Sequence, residues 1–361
     1  MDRLRTLPWL VLLLLALGCD APPSRAPADV AAPRPLPENL LEDERNTIDV
    51  FRRTSDSVVF VSNTEVVRGF FNLNASEVPR GTGSGFVWDD EGRIVTNFHV
   101  IQGGNRFTVT LSDGTTHEAK LIGVAPRKDL AVLAIDPDGA VLRPLEIGDS
   151  DGLVVGQKVL AIGNPFGLDG SLSTGVISAL GREIRSVAGT VIENVIQTDA
   201  SINPGNSGGP LLDSGGRLIG VTTAIFSTSG SSAGVGFAVP VATVRRLMPQ
   251  LIEHGRVRWP GLGVTLLPDH LAARWGVQGV VVREVLPGSP AEAAGLQSIR
   301  ADRRGNVRSF DLIVEAAGRR VLQAVDLLDA LDDFDVGDVV KVRFLRDGET
   351  WEANIRLAAL D

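Results

Sequence analysis

The apolar residues of this chain fall mostly in short runs and only rarely repeat at helical spacing. From Val58 to about residue 240 the runs are broken by Gly, Asp and Asn, and examples are Gly85-Phe86-Val87-Trp88, Phe107-Thr108-Val109-Thr110-Leu111 and Leu130-Ala131-Val132-Leu133-Ala134-Ile135. Apolar runs of strand length bounded by turn-forming residues predict many short β-strands. Strands in this number, spread over roughly 190 residues, are typical of a barrel or a sandwich, and the length suits two small antiparallel barrels.

Helical spacing is present in three shorter segments. Ile48 and Phe51 share one face before the first strand, and a helix is predicted near Val325 to Leu331. The clearest repeat consists of Val244, Leu247, Met248, Leu251 and Ile252, with Gly255 as the expected C-cap and Pro249 as the expected site of a kink or a late break. Trp259-Pro260-Gly261 is the expected hinge to a second, smaller domain with strands such as Gly279-Val280-Val281-Val282. The predicted fold class is mostly β, with a double antiparallel β-barrel followed by a smaller α+β domain.

Residues 1–19 have the pattern of an export signal. Arg3 and Arg5 supply positive charge, Leu7 to Leu17 form an apolar run too short to span a bilayer comfortably, and small Gly18 precedes Cys19. Ala16-Leu17-Gly18-Cys19 resembles a bacterial lipoprotein box, so lipidation of Cys19 is expected, with an uncleaved anchor helix as the alternative. Residues 20–40, rich in Pro and Ala, predict an extended tether. The rest of the chain is predicted to form two domains, a protease-sized domain at 41–256 and a smaller one at 257–361. With either alternative these domains are attached to a membrane, on the periplasmic side of a bacterial cell envelope.

Composition and charge exclude several classes of function. A formal net charge of −9 argues against a nucleic-acid partner, because phosphate binding needs a basic face. The single cysteine, Cys19, excludes disulfide bonds within the chain and a thiol nucleophile further along. The four histidines lie at no zinc-binding spacing, so neither a metal site nor a cofactor is expected, and they leave four candidates for an imidazole base: His99, His117, His254 and His270.

The segment from Asn203 to Pro210, Asn-Pro-Gly-Asn-Ser-Gly-Gly-Pro, predicts a nucleophilic serine at Ser207. Acyl transfer needs an uncrowded hydroxyl and backbone N–H groups that converge on one point, and a glycine at 205 permits the unusual backbone that this requires. The predicted oxyanion hole consists of the N–H groups of Gly205 and Ser207, with Asn206 between them. A glycine-rich turn with an exposed serine is the alternative, and this motif alone does not decide between the two.

Two further segments favour catalysis. His99 follows the apolar run Ile94-Val95-Thr96 and Asp129 precedes the apolar run from Leu130, so each is expected at a strand end. A serine hydroxyl needs an imidazole to take its proton and a carboxylate to fix the imidazole tautomer. The chain order His99, Asp129, Ser207 is the chymotrypsin order. The other three histidines fit poorly, in a polar turn, at a helix end and in the second domain.

Several ordered segments resemble the signature blocks of the HtrA/Deg (DegP-like) trypsin-like serine proteases. They are Thr96-Asn97-Phe98-His99-Val100, Asp129-Leu130-Ala131-Val132-Leu133, Ile162-Gly163-Asn164-Pro165-Phe166-Gly167, Gln197-Thr198-Asp199-Ala200, Gly205-Asn206-Ser207-Gly208-Gly209-Pro210 and Gly234-Val235-Gly236-Phe237-Ala238-Val239-Pro240. The resemblance implies a chymotrypsin-like double barrel, homotrimers and cleavage of unfolded or damaged polypeptides.

The resemblance also implies the position of the substrate pocket. In this fold the residue six before the nucleophile lies at the base of the primary pocket, and here it is Ser201. An uncharged serine gives no attraction for Arg or Lys. With Ile202, Thr223 and Ile225 nearby by resemblance, small or medium aliphatic residues are expected before the cleaved bond.

The second domain resembles a bacterial PDZ domain through Pro260-Gly261-Leu262-Gly263-Val264, Leu286-Pro287-Gly288-Ser289-Pro290-Ala291 and Ala294-Gly295-Leu296. A PDZ domain takes a C-terminal peptide as an extra strand, with its carboxylate held by a glycine loop. By resemblance the peptide site consists of Gly261, Leu262, Gly263 and Val264, with Leu328 and Leu331 on the wall of the groove. A role in the core is the alternative for the leucines.

Three functions remain compatible with the sequence. The first is an endopeptidase for unfolded or damaged envelope polypeptides, regulated through the PDZ domain. The second is a narrow signalling protease of one membrane partner, and the third is a catalytically idle chaperone that holds unfolded chains.

Overall fold

The computed structural model describes residues 36–68, 75–165, 167, 170–185, 191–203, 205–223, 234–302, 304 and 306–360. Helix α1 (Glu42–Thr54) precedes the first barrel and buries Val50 completely. The first barrel closes in the order β1-β2-β3-β6-β5-β4, and every pair in it is antiparallel. Its strands are β1 (Val58–Arg68), β2 (Ala75–Val87), β3 (Arg93–Thr96), β4 (Arg106–Thr110), β5 (Thr116–Ala125) and β6 (Leu130–Ala134), and the one-turn helix α2 (Phe98–Ile101) follows β3.

Strand β6 is apolar on both faces because it separates two cores. Ala131 and Leu133 pack inside the first barrel, whereas Leu130 and Val132 pack into a cluster shared with the second barrel. A strand buried on both faces has an unbroken apolar run rather than an alternating one. The carboxyl end of β3 and the start of β6 therefore lie at the boundary between the two barrels.

The second barrel repeats the first, with closed order β10-β11-β12-β9-β8-β7. Its strands are β7 (Lys158–Gly163), β8 (Ser171–Arg185), β9 (Val191–Thr198), β10 (Pro210–Asp213), β11 (Leu218–Thr223) and β12 (Gly236–Pro240). Helix α3 (Val241–His254) follows, and Gly255, with φ of 72°, ends it by donating its N–H to Leu251, so the predicted C-cap is confirmed.

Helix α3 runs through Pro249 without the late break that the sequence analysis allowed. Proline removes one backbone hydrogen bond, the one to the carbonyl four residues earlier, on Arg245. Arg245 is exposed, while the apolar face of the helix is buried at Val244, Leu247, Met248 and Leu251. Packing of that face against the barrel outweighs the lost bond.

The second domain is an α+β unit with its own core. Its main sheet has the order β14-β15-β18-β20-β21, with β19 beside β18, while β13 pairs with β22 and β16 with β17. The strands are β13 (Trp259–Gly261), β14 (Val264–Leu266), β15 (Val280–Val285), β16 (Arg300–Ala301), β17 (Val307–Ser309), β18 (Asp311–Ala316), β19 (Arg319–Arg320), β20 (Val339–Arg346), β21 (Glu349–Arg356) and β22 (Ala358–Leu360). The helices are α4 (Asp269–Arg274), α5 (Pro290–Ala293) and α6 (Ala324–Asp332).

The structure confirms the predicted fold class and corrects one boundary feature. Trp259–Gly261 is not a hinge, because it forms β13 and pairs with β22 near the end of the chain. The export segment and Cys19 lie outside the described residues, as does most of the tether. No described helix is long and apolar enough to cross a membrane. From Glu42 onward the two domains belong to one compact unit.

Candidate active site

His99 and Asp129 meet where β3 and β6 end at the boundary between the barrels. The Nδ1 atom of His99 lies 2.7 Å from Oδ2 of Asp129, and the backbone N–H of His99 donates to Oδ1 of the same carboxylate at 3.0 Å. The side chain of Asp129 is fully buried, whereas 12% of the His99 side chain is exposed. A carboxylate that accepts a hydrogen bond from Nδ1 of a neutral imidazole leaves Nε2 as the basic nitrogen.

The backbone around Asp129 is unusual, and neighbouring side chains hold it in place. Asp129 ends a 3₁₀ turn (Pro126–Lys128) in the left-handed region, with φ of 53°, which Asp tolerates better than most residues. Asn97 Nδ2 donates to the Asp129 carbonyl at 3.0 Å. Thr223, one of the predicted substrate-pocket residues, donates its hydroxyl to Oδ2 of Asp129 at 2.7 Å. The buried carboxylate therefore accepts three hydrogen bonds, as a buried charge requires.

Ser207 lies on a loop of the second barrel that is packed tightly against the first barrel. The Ser207 carbonyl accepts the N–H of Ser84 at 2.9 Å, and Gly208 donates to Thr222 at 2.9 Å. Gly208 has φ of 85°, and a Cβ atom there would lie 2.2 Å from the Ser84 carbonyl oxygen and 3.0 Å from the Asn97 nitrogen. Only glycine fits at 208, and its absent side chain lets the serine loop approach the segment that leads into His99.

The turn before Ser207 is closed by a backbone hydrogen bond and has a glycine at positive φ. The N–H of Asn206 donates to the carbonyl of Asn203 at 3.0 Å, and Gly205, the third residue of the turn, has φ of 105°. Among the described residues, no acceptor is paired with the N–H of Gly205 or of Ser207. These two N–H groups are the donors predicted to form the oxyanion hole.

Gly163 explains why the Ile-Gly-Asn-Pro segment accompanies the serine motif. A Cβ atom at Gly163 would lie 2.3 Å from the side-chain oxygen of Asn206 and 2.8 Å from its Cα. The absent side chain makes room for Asn206, which is 7% exposed and donates to the Ser201 carbonyl at 3.3 Å. The signature segments thus shape one site from both barrels.

Comparison with known proteins identifies the family of this chain. A trypsin-like peptidase domain matches residues 83–221, and a PDZ domain matches residues 260–357. Over 311 residues the chain is 51% identical to Protease Do-like 1, chloroplastic, of Arabidopsis thaliana, with 86% of this chain and 71% of that protein covered. The chain belongs to the HtrA/Deg family of trypsin-like serine proteases. The predicted family and enzyme class, a serine-type endopeptidase, are confirmed.

Bacterial HtrA/Deg proteins and solved structures agree with this assignment. The chain is 41% identical over 283 residues to the probable periplasmic serine endoprotease DegP-like of Chlamydia trachomatis serovar D, with 77% of this chain and 54% of that protein covered. The structure of the HtrA-type protease AlgW with a decapeptide is 33% identical, covers 87% of this chain and 99% of its own, and has a TM-score of 0.67. The serine endoprotease from Yersinia pestis is 32% identical, with 87% and 98% covered and a TM-score of 0.61.

The predicted substrate-pocket residues of this HtrA/Deg protease occupy different environments. Ser201 is exposed, and its carbonyl accepts hydrogen bonds from Ser173 and Asn206. Ile202 is 8% exposed and packs in the core of the second barrel, where a Cβ at Gly236 would touch it. Ile225 lies outside the described residues. Of the four, Ser201 is the described residue whose surface faces solvent.

The predicted PDZ peptide site is divided between core and surface. Strand β14, which begins at Val264, is the last strand of its sheet, so one of its edges has no strand beside it among the described residues. Gly261 lies in β13, and Gly263 has φ of 77° and leaves no room for a Cβ beside Ser289.

The leucines of this site differ in burial. Leu328 on α6 is half-buried. Leu262 and Leu331 are 2% and 3% exposed and pack in the domain core. An exposed strand edge is the element to which PDZ domains add a peptide.

Helix α6 of the PDZ domain contacts the loop that carries Asp129, a link that sequence reasoning missed. Lys128, directly before Asp129, is 8% exposed, and its Nζ lies 2.5 Å from Oδ2 of Asp332 at the end of α6. Arg246 of α3 donates to the Asp332 carbonyl. Nothing in the spacing of these residues indicates the contact, because it joins different domains.

A pair of acidic side chains, Glu193 and Asp329, lies in the same region. Burial and a side-chain hydrogen bond with Asp329 of α6 raise the pKa of Glu193 to about 8, and the negative charge of Asp329 acts in the same direction. The positive charge of Lys128 opposes the shift. The raised pKa favours the protonated form of Glu193 on β9.

Proposed function

We propose that this HtrA/Deg protease cleaves unfolded or damaged polypeptides with Ser207 as nucleophile, His99 as general base and Asp129 as the carboxylate that orients the imidazole. The observation that supports this assignment is the 2.7 Å contact between His99 Nδ1 and Asp129 Oδ2. A neutral imidazole held in this way presents Nε2 as the only basic nitrogen.

The proposed reaction follows from these positions. Ser207 Oγ attacks the scissile carbonyl carbon while its proton passes to His99 Nε2, and Asp129 stabilises the imidazolium. The N–H groups of Gly205 and Ser207 bind the oxyanion of the tetrahedral intermediate. His99 then protonates the leaving amine, and a water molecule, deprotonated by the same imidazole, hydrolyses the acyl-enzyme.

Ser201 supports an uncharged primary pocket. Its exposed hydroxyl offers no negative charge to a Lys or Arg side chain, so small or medium aliphatic residues are the preferred residues before the cleaved bond. Peptide series that differ only at this residue test the preference. A higher kcat/KM for Arg than for Val would contradict it.

The PDZ domain is proposed to bind C-terminal peptides along β14 and to regulate cleavage. The open edge of β14 beside Gly261, Leu262, Gly263 and Val264 supports this binding mode. The structure of AlgW with a decapeptide shows that a relative of this chain takes a peptide. The ion pair between Lys128 and Asp332 supports communication with the site, because it joins α6 to the residue beside Asp129.

We place the protein in a bacterial cell envelope, on the periplasmic side, tethered through the export segment or lipidated Cys19. The segment 1–19 supports export, and bacterial relatives are named as periplasmic, whereas two plant relatives, 51% and 42% identical, are named as chloroplastic. A homotrimer is the assembly that the family resemblance implies. Sedimentation of the exported protein and mass spectrometry of Cys19 test the two proposals.

The chemical claim is tested by covalent labelling with a serine-directed fluorophosphonate and by digestion of casein. Loss of a triad serine costs about 10⁶ in kcat, so Ser207→Ala is expected to abolish both signals. Ser214→Ala is the matched control, because Ser214 is also followed by two glycines but lies in an exposed turn. Full activity of Ser207→Ala, or an equal loss of activity in Ser214→Ala, would contradict the role of Ser207 as nucleophile.

The same assay separates the alternatives for the biological role. An idle chaperone would bind casein without digesting it and would not react with the fluorophosphonate. A signalling protease would stay near zero until a C-terminal peptide is added. Digestion of casein without peptide supports the housekeeping role proposed here.

A further inference from the structure

Ser84 of β2 is fully buried, and its backbone joins the two segments that carry the proposed site. Its N–H donates to the carbonyl of Ser207 at 2.9 Å, and its carbonyl accepts the hydroxyl of Thr96 at 2.7 Å. Thr96 ends β3, three residues before His99. The backbone of Ser84 thus lies between the proposed nucleophile and the segment that leads to the proposed base.

The side chain of Ser84 makes two more hydrogen bonds, both to the second barrel. Its Oγ donates to the carbonyl of Gly205 at 2.5 Å and accepts the N–H of Asn164 at 2.7 Å. Asn164 follows β7 and Gly205 precedes Ser207, so the hydroxyl bridges two loops that border the cleft. A hydroxyl that donates once and accepts once in a buried position is well satisfied.

The peptide unit that Ser84 holds lies between the two donors of the proposed oxyanion hole. The Gly205 carbonyl and the Asn206 N–H belong to one planar peptide. Ser84 Oγ binds the carbonyl, and the Asn203 carbonyl binds the N–H at 3.0 Å. Because this peptide connects the N–H of Gly205 to the N–H of Ser207, its orientation sets the direction of both.

Neighbouring glycines keep this contact close. A Cβ at Gly83 would lie 2.6 Å from the Val100 side chain and 3.0 Å from the Ser207 carbonyl oxygen. At Gly85 it would lie 2.9 Å from the Val95 carbonyl oxygen. The Gly-Ser-Gly sequence of β2 therefore brings a hydroxyl within reach of the turn where larger neighbours would not fit.

We propose that Ser84 is a positioning residue for the oxyanion hole, since its hydroxyl fixes the Gly205–Asn206 peptide so that the flanking N–H groups converge. This inference rests on the proposed roles of Ser207 and Gly205. It adds a requirement that a side chain of the first barrel, away from the substrate, must be in place before the transition state is stabilised. A group that only joined the barrels would affect stability and leave turnover unchanged.

Ser84→Ala tests the inference, with Ser62→Ala as the matched control. Ser62 lies on β1 of the same barrel, and its hydroxyl makes a 2.6 Å hydrogen bond with Thr108 away from the cleft. We expect Ser84→Ala to lower kcat about 10- to 100-fold while KM stays within about twofold, because misplaced donors weaken transition-state binding more than substrate binding. The Ki of a peptide boronate, whose tetrahedral adduct needs the oxyanion hole, rises by a similar factor.

Other outcomes would overturn the inference. In one, Ser84→Ala has a lower melting temperature but keeps the kcat and the boronate Ki of wild type. In the other, Ser84→Ala changes KM alone. If Ser84→Ala does not fold, Ser84→Cys, which keeps a weaker donor of similar size, decides the question. Reduced kcat at unchanged KM supports the inference, and wild-type kcat overturns it. An active Ser207→Ala would instead refute the proposed nucleophile, so the two failures are distinguishable.

Discussion

Replacing Gly205 by alanine tests whether the turn before Ser207 has to keep its present shape. Gly205 has φ of 105°, which L-residues with a side chain rarely adopt. The new Cβ would also lie 2.3 Å from Pro165 Cβ and 2.8 Å from Pro165 Cα. Backbone atoms cannot move aside as a flexible side chain can, so the turn itself must shift.

The expected cost has two parts that can be measured separately. A side chain at positive φ costs about 1–2 kcal/mol in stability. The shift of the turn turns the N–H of residue 205 away from the oxyanion, and loss of one such donor costs about 10²–10³ in kcat. The loss in turnover is therefore expected to exceed what the change in folding stability explains.

Gly114→Ala is the matched control for this variant. Gly114 has φ of 82°, and a Cβ there would meet nothing within 4 Å. Both variants carry the cost of positive φ, so both are expected to melt several degrees lower than wild type. Only Gly205→Ala is expected to lose kcat on a chromogenic peptide and to react slowly with the fluorophosphonate.

Two results would refute this reasoning. One is a Gly205→Ala variant whose kcat stays within about threefold of wild type. The other is a Gly114→Ala variant that loses kcat as severely, because the loss would then follow from general destabilisation. A crystal structure of Gly205→Ala with an unchanged 203–206 turn would point to the same conclusion.

Two further predictions concern the polar contacts around the site. Thr223→Val removes one of three hydrogen bonds to the buried Asp129 carboxylate, so we expect kcat to fall about tenfold at unchanged KM, because a hydrogen bond to a charged group contributes about 1.5–3 kcal/mol. Wild-type kcat would show that the two bonds from His99 suffice. The pKa of Glu193 is raised to about 8, so its contribution to stability is full below about pH 4.5 and is lost as the pH rises through 8. Between pH 6 and 8.5 the melting temperature of wild type should therefore fall more than that of Glu193→Gln. An equal fall in both proteins would contradict the raised pKa of Glu193.

The sequence by itself determined the local structure and the chemical residues. Apolar runs bounded by Gly and Asp predict strands because burial on a sheet needs them, and the run at β6 is buried on both faces as an unbroken run requires. The order of His99, Asp129 and Ser207 and the glycines around the serine indicate acyl transfer, because few other reactions need that set of groups. The local sequence was a weaker guide at Pro249 and Trp259. At Pro249 the packing of α3 keeps the helix continuous, and at Trp259 pairing with β22 forms a strand.

Only the tertiary structure decided which polar groups support these residues. Thr223 binds Asp129 across 94 positions, Ser84 binds Gly205 across 121, and Lys128 binds Asp332 of the other domain. Each pair depends on how a barrel closes or on how α6 packs against the protease domain. The sequence around a hydroxyl or a lysine does not indicate which distant residue it will bind. Propensity and periodicity act over a few residues, whereas hydrogen bonds in a buried site form between whichever groups the closed sheets bring together.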